Sequence, residues 1–144
     1  MLRTMIAFLT AVIAAYLFAS VFYTYQVIGA QAAIGATYTP AQQAETYAAN
    51  LIGLWQYGAM IAVAFVIAFL VAAGARRVLK PLAPVAYPVA GAASILVLLY
   101  AVEAQLGGGA GVIGGARTAT GLALQCLAGA IGGFVFALMR PQGR

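Results

Sequence analysis

Four long apolar stretches limit this chain to one kind of fold. They cover residues 4–29, 50–74, 83–106 and 118–139, and an α-helix needs about 20 apolar residues to cross a membrane. Lipid offers the backbone no hydrogen-bond partners, so a spanning segment must be a helix or a barrel strand. The alternation typical of a barrel strand is absent. The sequence therefore predicts an all-α, polytopic membrane protein, with one transmembrane domain over residues 1–144 and four helices in an up-down bundle.

The composition argues against a soluble protein and against an enzyme. Apolar residues make up 65% of the chain and charged residues 6%, whereas a soluble domain has about 25% charged residues. The chain has no histidine, one cysteine and two acidic residues, which leaves little for acid–base or nucleophilic catalysis. We expect no catalytic residue, no metal site and no cofactor. An enzyme acting on a lipid-soluble substrate is the less favoured alternative.

The basic residues predict the orientation. With four crossings, six of the seven fall on one side of the membrane and Arg117 alone falls on the other. The positive-inside rule then places both termini on the cytoplasmic side of the membrane, which we expect to be a bacterial inner membrane. The net charge of +5 could suggest nucleic acid, but the cations stand at helix ends, so the expected partner is the lipid bilayer. The six are Arg3, Arg76, Arg77, Lys80, Arg140 and Arg144.

Two features mark the start of the second span. Thr39 can cap a helix that begins at Pro40, and Gln42 three residues later completes a capping box. We expect a short amphipathic segment that runs from there into the span. Trp55 and Tyr57 in the outer part of the span are interpreted as interfacial anchors.

The candidate ligand site is a group of polar residues near the outer boundary. Glu103 is the only acidic residue within a predicted span, and Arg117 precedes the fourth span. One hypothesis pairs these two charges, and the alternative lets each reach water or lipid headgroups. The pair would close a pocket that also contains Asn50, Gln56 and Gln105. Pro88, at the other end of the third span, is predicted to kink that helix.

The fourth span carries a ridge of recurring residues. Residues four apart share a helix face, and this spacing relates Arg117, Gly121, Gln125, Gly129 and Gly133. Gln125 lies near mid-membrane, where an amide needs a partner, and it is a further candidate for binding a ligand. Small residues let helices approach closely in lipid. We therefore predict helix packing by this ridge, against the same chain or another subunit, through Gly121, Gly129, Gly132 and Gly133.

Residues 109–114 match the pattern GxGxxG. A dinucleotide site would require a preceding strand and a βαβ unit, whereas here the pattern follows a membrane helix. We interpret it as a flexible loop.

The chain resembles a group of small uncharacterised four-span membrane proteins of proteobacteria. The likeness is carried by residues 113–117 (IGGAR), Gln125, residues 128–133 (AGAIGG) and residues 87–92 (YPVAGA). It implies a four-span fold and carries no function.

Two functional hypotheses follow. The favoured one is a non-catalytic structural or accessory subunit, a homo-oligomer or part of a larger membrane complex, packed through the glycine-rich fourth helix. The alternative is a small oligomeric transporter or channel for an ion or small solute, with its polar pocket around Glu103 and Arg117.

Overall fold

The computed structural model describes residues 1–106 and 116–140, and these residues form five α-helices. All of them except α2 are long and apolar enough to cross a membrane, so the prediction of an all-α protein with four candidate membrane helices is confirmed. The helices are α1 (Leu2–Ala33), α2 (Pro40–Gly53), α3 (Trp55–Val78), α4 (Ala86–Leu106) and α5 (Ala119–Met139).

The helix ends differ from the predicted spans. Helix α1 has 32 residues, which is about 48 Å at 1.5 Å per residue, so it extends well beyond an apolar layer of about 30 Å. Helix α4 begins at Ala86 and not at residue 83. Pro88 is thus its third residue and lies in the first turn, where a helix can accept proline without losing an internal hydrogen bond. The predicted kink has no basis at that position.

Helix α2 is a separate element and not the first part of the second span. Its capping box is present as predicted: Thr39 Oγ1 accepts from Gln42 N at 3.3 Å, and Gln42 Oε1 accepts from Thr39 N at 2.9 Å. The helix ends at Gly53, and only Leu54 separates it from α3. Glycine is a poor helix former, and α2 buries none of its residues, whereas α3 is apolar throughout its middle. Asn50 therefore belongs to α2.

The long helices pack around α5. Helix α5 makes its most extensive contacts with α1 and α4, while α3 packs against α4 and more sparsely against α1. Buried positions recur every four residues along each of the four long helices. The inner face of α1 is small, with Ala7, Ala11, Ala15 and Ala19, whereas that of α3 is large, with Tyr57, Ile61, Phe65 and Phe69.

An aromatic cluster joins the four long helices at one end of the bundle. Phe69 of α3 is its centre, with ring centroids 4.5 Å from Phe136 of α5, 5.5 Å from Tyr87 of α4 and 6.3 Å from Phe8 of α1. Bulky rings fill the space between helices that alanine and glycine would leave open. Aromatic side chains therefore fill the centre of the bundle at this end.

Candidate functional site

Gln125 is the polar centre of the bundle. It lies on α5 and is fully buried, so its amide must find partners inside the protein. Its Nε2 donates to the carbonyl oxygen of Ala19 at 3.1 Å, and its Oε1 accepts from the Tyr57 hydroxyl at 3.0 Å. One side chain thus links α1, α3 and α5.

A second set of polar contacts fastens α2 to α1. Thr24 Oγ1 donates to the Ser20 carbonyl at 2.9 Å and accepts from Asn50 Nδ2 at 3.1 Å. Earlier on α1, the Tyr16 hydroxyl donates to the carbonyl oxygen of Leu51, which follows Asn50 on α2. These bonds compensate for the lack of buried residues on α2.

Ser20 lies between these two sets and differs from its neighbours. It is buried, and its hydroxyl oxygen has no hydrogen-bond partner among the described residues. A serine in a helix can donate a hydrogen bond from its hydroxyl to the backbone carbonyl three or four residues earlier. Here Thr24, one turn further on, makes such a bond and Ser20 does not. Ser20 therefore fills space in the interior, but its hydroxyl forms no hydrogen bond between helices.

The amide side chains predicted as ligand or pocket residues occupy separate environments. Asn50 bonds to Thr24, and Gln125 bonds to Tyr57 and Ala19. Gln56 and Gln105 are exposed. The two amides with partners therefore serve helix packing, and the two exposed amides face away from the bundle interior.

The charged residues of the predicted pocket lie on α4 and just before α5. Glu103 is half-buried in the last turn of α4, and Arg117 is exposed one residue before the cap of α5. That cap is Thr118, which accepts from Gly121 N at 2.9 Å and contacts Gln26 Oε1 at 3.4 Å. The ion pair of Glu103 with Arg117 stays a prediction. Residues 107–115, with the GxGxxG pattern, lie outside the described residues.

The glycine ridge of α5 is covered on two sides by helices of the same chain. A methyl group built on Gly129 would overlap the carbonyl of Gly91 and stand 2.6 Å from Ile95. One built on Gly133 would overlap the carbonyl of Tyr87 on the same helix, α4. The backbones of α4 and α5 are thus in direct contact at these glycines.

The other side of the ridge faces α1 and α3. A methyl group on Gly132 would stand 2.7 Å from the ring of Phe65, 2.8 Å from the Ala11 carbonyl oxygen and 2.8 Å from Ala15 Cβ. Gly121, nearer the start of α5, is also buried. The residues predicted for helix packing therefore all lie inside the bundle.

Sequence reasoning missed two residues of this interior. Tyr57 was interpreted as an interfacial anchor like Trp55, but Trp55 is 66% exposed and Tyr57 only 5%. The signal was the spacing of Tyr57, Ile61 and Phe65, which puts the tyrosine on the buried face. Gly91 was missed as the counterpart of Gly129, although it stands four residues after Tyr87 on the buried face of α4.

The chemistry available in this interior is limited to hydrogen bonding and packing. No group of three or more histidine, cysteine, aspartate or glutamate residues comes together in the part of the chain that the structure describes. Cys126 is half-buried next to Gln125. The amide and hydroxyl groups described above mainly bond to one another and to backbone carbonyls, which holds helices together.

Comparisons with protein-family models, with curated proteins and with solved structures give no match to this chain. The resemblance to four-span proteobacterial proteins therefore stays a prediction. The function has to be inferred from the residues and contacts of the chain itself.

Proposed function

We propose that this protein is a non-catalytic subunit of the bacterial inner membrane that acts by associating with other chains, either copies of itself or a larger membrane complex. One observation carries the proposal: an outward-facing groove of about 650 Å³ between α3 and α4 with almost entirely apolar walls. Its floor is rich in small residues, among them Ala64, Ala68, Ala90 and Ala93. Small residues let helices approach one another in lipid.

This groove, and not the fourth-helix ridge, is the proposed contact surface. Gly129 and Gly133 already meet α4, and Gly132 meets α1 and α3, so a partner helix has no access to them in the folded bundle. The rims of the α3–α4 groove carry Val63 and Val97, both well exposed. A helix of a partner would pack between these rims.

We further propose an up-down bundle with both termini in the cytoplasm. The excess of basic residues at and after the ends of α3 and α5 supports it through the positive-inside rule. The guanidinium carbons of Arg76 and Arg140 lie 5.1 and 5.0 Å from the ring centroid of one tyrosine, Tyr87. This supports placing the end of α3, the start of α4 and the end of α5 at one membrane surface.

Reporter fusions test the orientation. We expect a fluorescent protein fused after Arg144 to fold and fluoresce in the cytoplasm, and alkaline phosphatase inserted in the connection between α1 and α2 to be active. Phosphatase activity at the Arg144 fusion, with none in the α1–α2 connection, would reverse the orientation.

The native mass of the protein, extracted gently from its own membrane, tests the association. We expect a discrete homo-oligomer or a stoichiometric complex with other chains, and Ala93→Phe in the groove should shift the protein toward the monomer. Ala123→Phe is the matched control because Ala123 is exposed on α5, outside the groove. A monomer in the wild-type extract would contradict the proposal. Equal loss of association in both variants would contradict the choice of the groove.

A further inference from the structure

Two arginines converge on one buried tyrosine at the basic end of the bundle. Tyr87, in the first turn of α4, is nearly fully buried. Arg140, directly after α5, donates from Nη1 to the Tyr87 hydroxyl and lies 5.0 Å from the ring centroid. Arg76, in the last turn of α3, lies 5.1 Å from the same centroid. A tyrosine ring attracts each cation through its π face, so Tyr87 holds both guanidinium groups in place.

The side chains of this chain supply no carboxylate for these two positive charges. Its two acidic residues are Glu45 and Glu103. Glu103 lies on the same helix as Tyr87 but sixteen residues further on, which is about 24 Å. Glu45 lies on α2, before the start of α3, while Arg76 stands 21 residues after Trp55, or about 32 Å of helix. Each guanidinium carbon lies about 5 Å from the same centroid, so the two cations are at most about 10 Å apart and repel each other. An anion bound near both would offset that repulsion.

Arg76 also has unused hydrogen-bonding capacity. Its Nε is buried and has no hydrogen-bond partner among the described residues. A guanidinium is a planar fork of five donors that matches the oxygens of a phosphate. Arg76 and Arg140 therefore supply two positive charges and several N–H donors beside one tyrosine ring, which suits the binding of a phosphate group.

An apolar groove leads away from Arg140 along the bundle. It has a volume of about 670 Å³ and lies between α1 and α3, which pack against each other more sparsely than α1 and α5 or α3 and α4 do. Arg140 and Tyr87 border it at the basic end. The rest of its wall is almost wholly apolar and includes Phe8, Leu9, Phe69, Leu70, Ala73 and Phe136. Its volume falls within the range of about 300–1,000 Å³ typical of small-molecule sites.

We propose that this groove binds one acyl chain of an anionic phospholipid whose phosphate is held by Arg76 and Arg140. An acyl chain suits the apolar wall, and the headgroup phosphate supplies the missing anion. Basic pockets between membrane helices on the cytoplasmic side are known places for such headgroups. The groove lies on the α1–α3 side, away from the α3–α4 groove, so this site needs no protein partner and stands independently of the proposed function.

The test is a lipid titration of the purified full-length protein in detergent, followed by native mass spectrometry. The probes are phosphatidylglycerol, phosphatidylcholine with the same acyl chains, and glycerol phosphate as the headgroup alone. We expect phosphatidylglycerol to bind and glycerol phosphate not to bind. Phosphatidylcholine carries the same phosphate, but its choline cation is repelled by the two arginines, so it should bind at least about tenfold more weakly. Loss of one charge-assisted contact corresponds to about tenfold in affinity.

Substitutions of single arginines test whether Arg76 and Arg140 hold the phosphate. Arg76→Gln and Arg140→Gln should each weaken phosphatidylglycerol binding about tenfold. Arg77→Gln is the matched control, because Arg77 is the exposed neighbour of Arg76, and it should leave binding unchanged. Arg140→Lys keeps the charge without the fork, so it should retain the preference for phosphatidylglycerol at reduced affinity. Helical circular dichroism and elution volume identify any variant that fails to fold. If Arg140→Gln fails to fold, the binding of phosphatidylglycerol to Arg140→Lys decides whether Arg140 takes part in the site.

The groove variant identifies the acyl-chain site. Ala73→Phe fills the groove and should weaken phosphatidylglycerol binding, whereas Ala123→Phe on the outside of α5 should not. Equal binding of the two phospholipids would show that the headgroup charge plays no part, and equal loss in Arg77→Gln would show only general surface charge. Either result would overturn the proposal. Binding of glycerol phosphate as tight as that of the lipid would mean a site for free anions and would overturn the acyl-chain assignment.

Discussion

The contact between α4 and α5 and the contact between α1 and α3 are built in opposite ways. At the first, Gly91 meets Gly129 and Gly133 meets Tyr87 with backbone against backbone. At the second, the aromatic rings of Phe8 and Phe69 stand between the helices at a centroid distance of 6.3 Å. One contact is close and continuous, and the other leaves a groove of about 670 Å³.

The difference follows from side-chain size. In lipid, helices gain little from hiding apolar surface and associate through close packing and hydrogen bonds. Glycine removes the obstacle to backbone contact, so α4 and α5 can gain the most from packing. The large inner face of α3 holds it away from α1, and the space that remains suits a lipid chain better than another helix. The α4–α5 contact should therefore contribute most to the stability of the bundle, and the α1–α3 contact should provide the binding site for lipid.

The largest expected effect comes from adding volume at the α4–α5 contact. Gly129→Val would drive side-chain atoms into the Gly91 carbonyl and Ile95. Overpacking costs about 1–3 kcal/mol, and the obstacle here is backbone, which cannot rotate away. We expect the free energy of unfolding in detergent, measured by denaturant titration, to fall by the upper end of that range or more.

Gly74→Ala is the control for that substitution. Gly74 lies within α3, and a methyl group built there meets nothing within 4 Å. Alanine is the better helix former by about 1 kcal/mol, so stability should stay the same or rise. If Gly129→Val were as harmless as Gly74→Ala, the close α4–α5 contact would not exist in the membrane.

An intermediate effect is expected from the hydrogen bond between Tyr57 and Gln125. A double-mutant cycle of Tyr57→Phe and Gln125→Leu isolates the pair, and hydrogen bonds between membrane helices average about 0.6 kcal/mol with a maximum of about 1.7 kcal/mol. We expect a coupling within that range in unfolding free energy, because both groups are buried and 3.0 Å apart. A coupling of zero would mean that α3 and α5 are not joined at this point.

The smallest effect is expected at the α1–α3 groove. Leu70 lines the groove and is largely exposed, so Leu70→Ala removes contacts with lipid more than contacts with protein. The unfolding free energy should change by less than about 0.5 kcal/mol, as for surface substitutions. A loss of about 2 kcal/mol or more, typical of a core leucine, would mean that α1 and α3 pack more closely than the groove allows.

Several features of the fold could be read from local sequence. The four candidate membrane helices follow from runs of apolar residues, and the capping box of α2 follows from the order of Thr39, Pro40 and Gln42. The need of Gln125 for a partner followed from an amide at mid-membrane. The partners did not, because Tyr57 is 68 positions and Ala19 is 106 positions away along the chain.

The sequence by itself determined that this chain has four helices fit for a membrane and that α5 has a face of small residues. Both properties depend on neighbouring residues and on the period of a helix. Only the tertiary structure decided that α4 and not another subunit covers Gly129 and Gly133, that Tyr87 gathers Arg76 and Arg140, and that a groove opens between α1 and α3. Membrane helices are alike in composition, so their order in a bundle is set by how small and large faces fit in three dimensions.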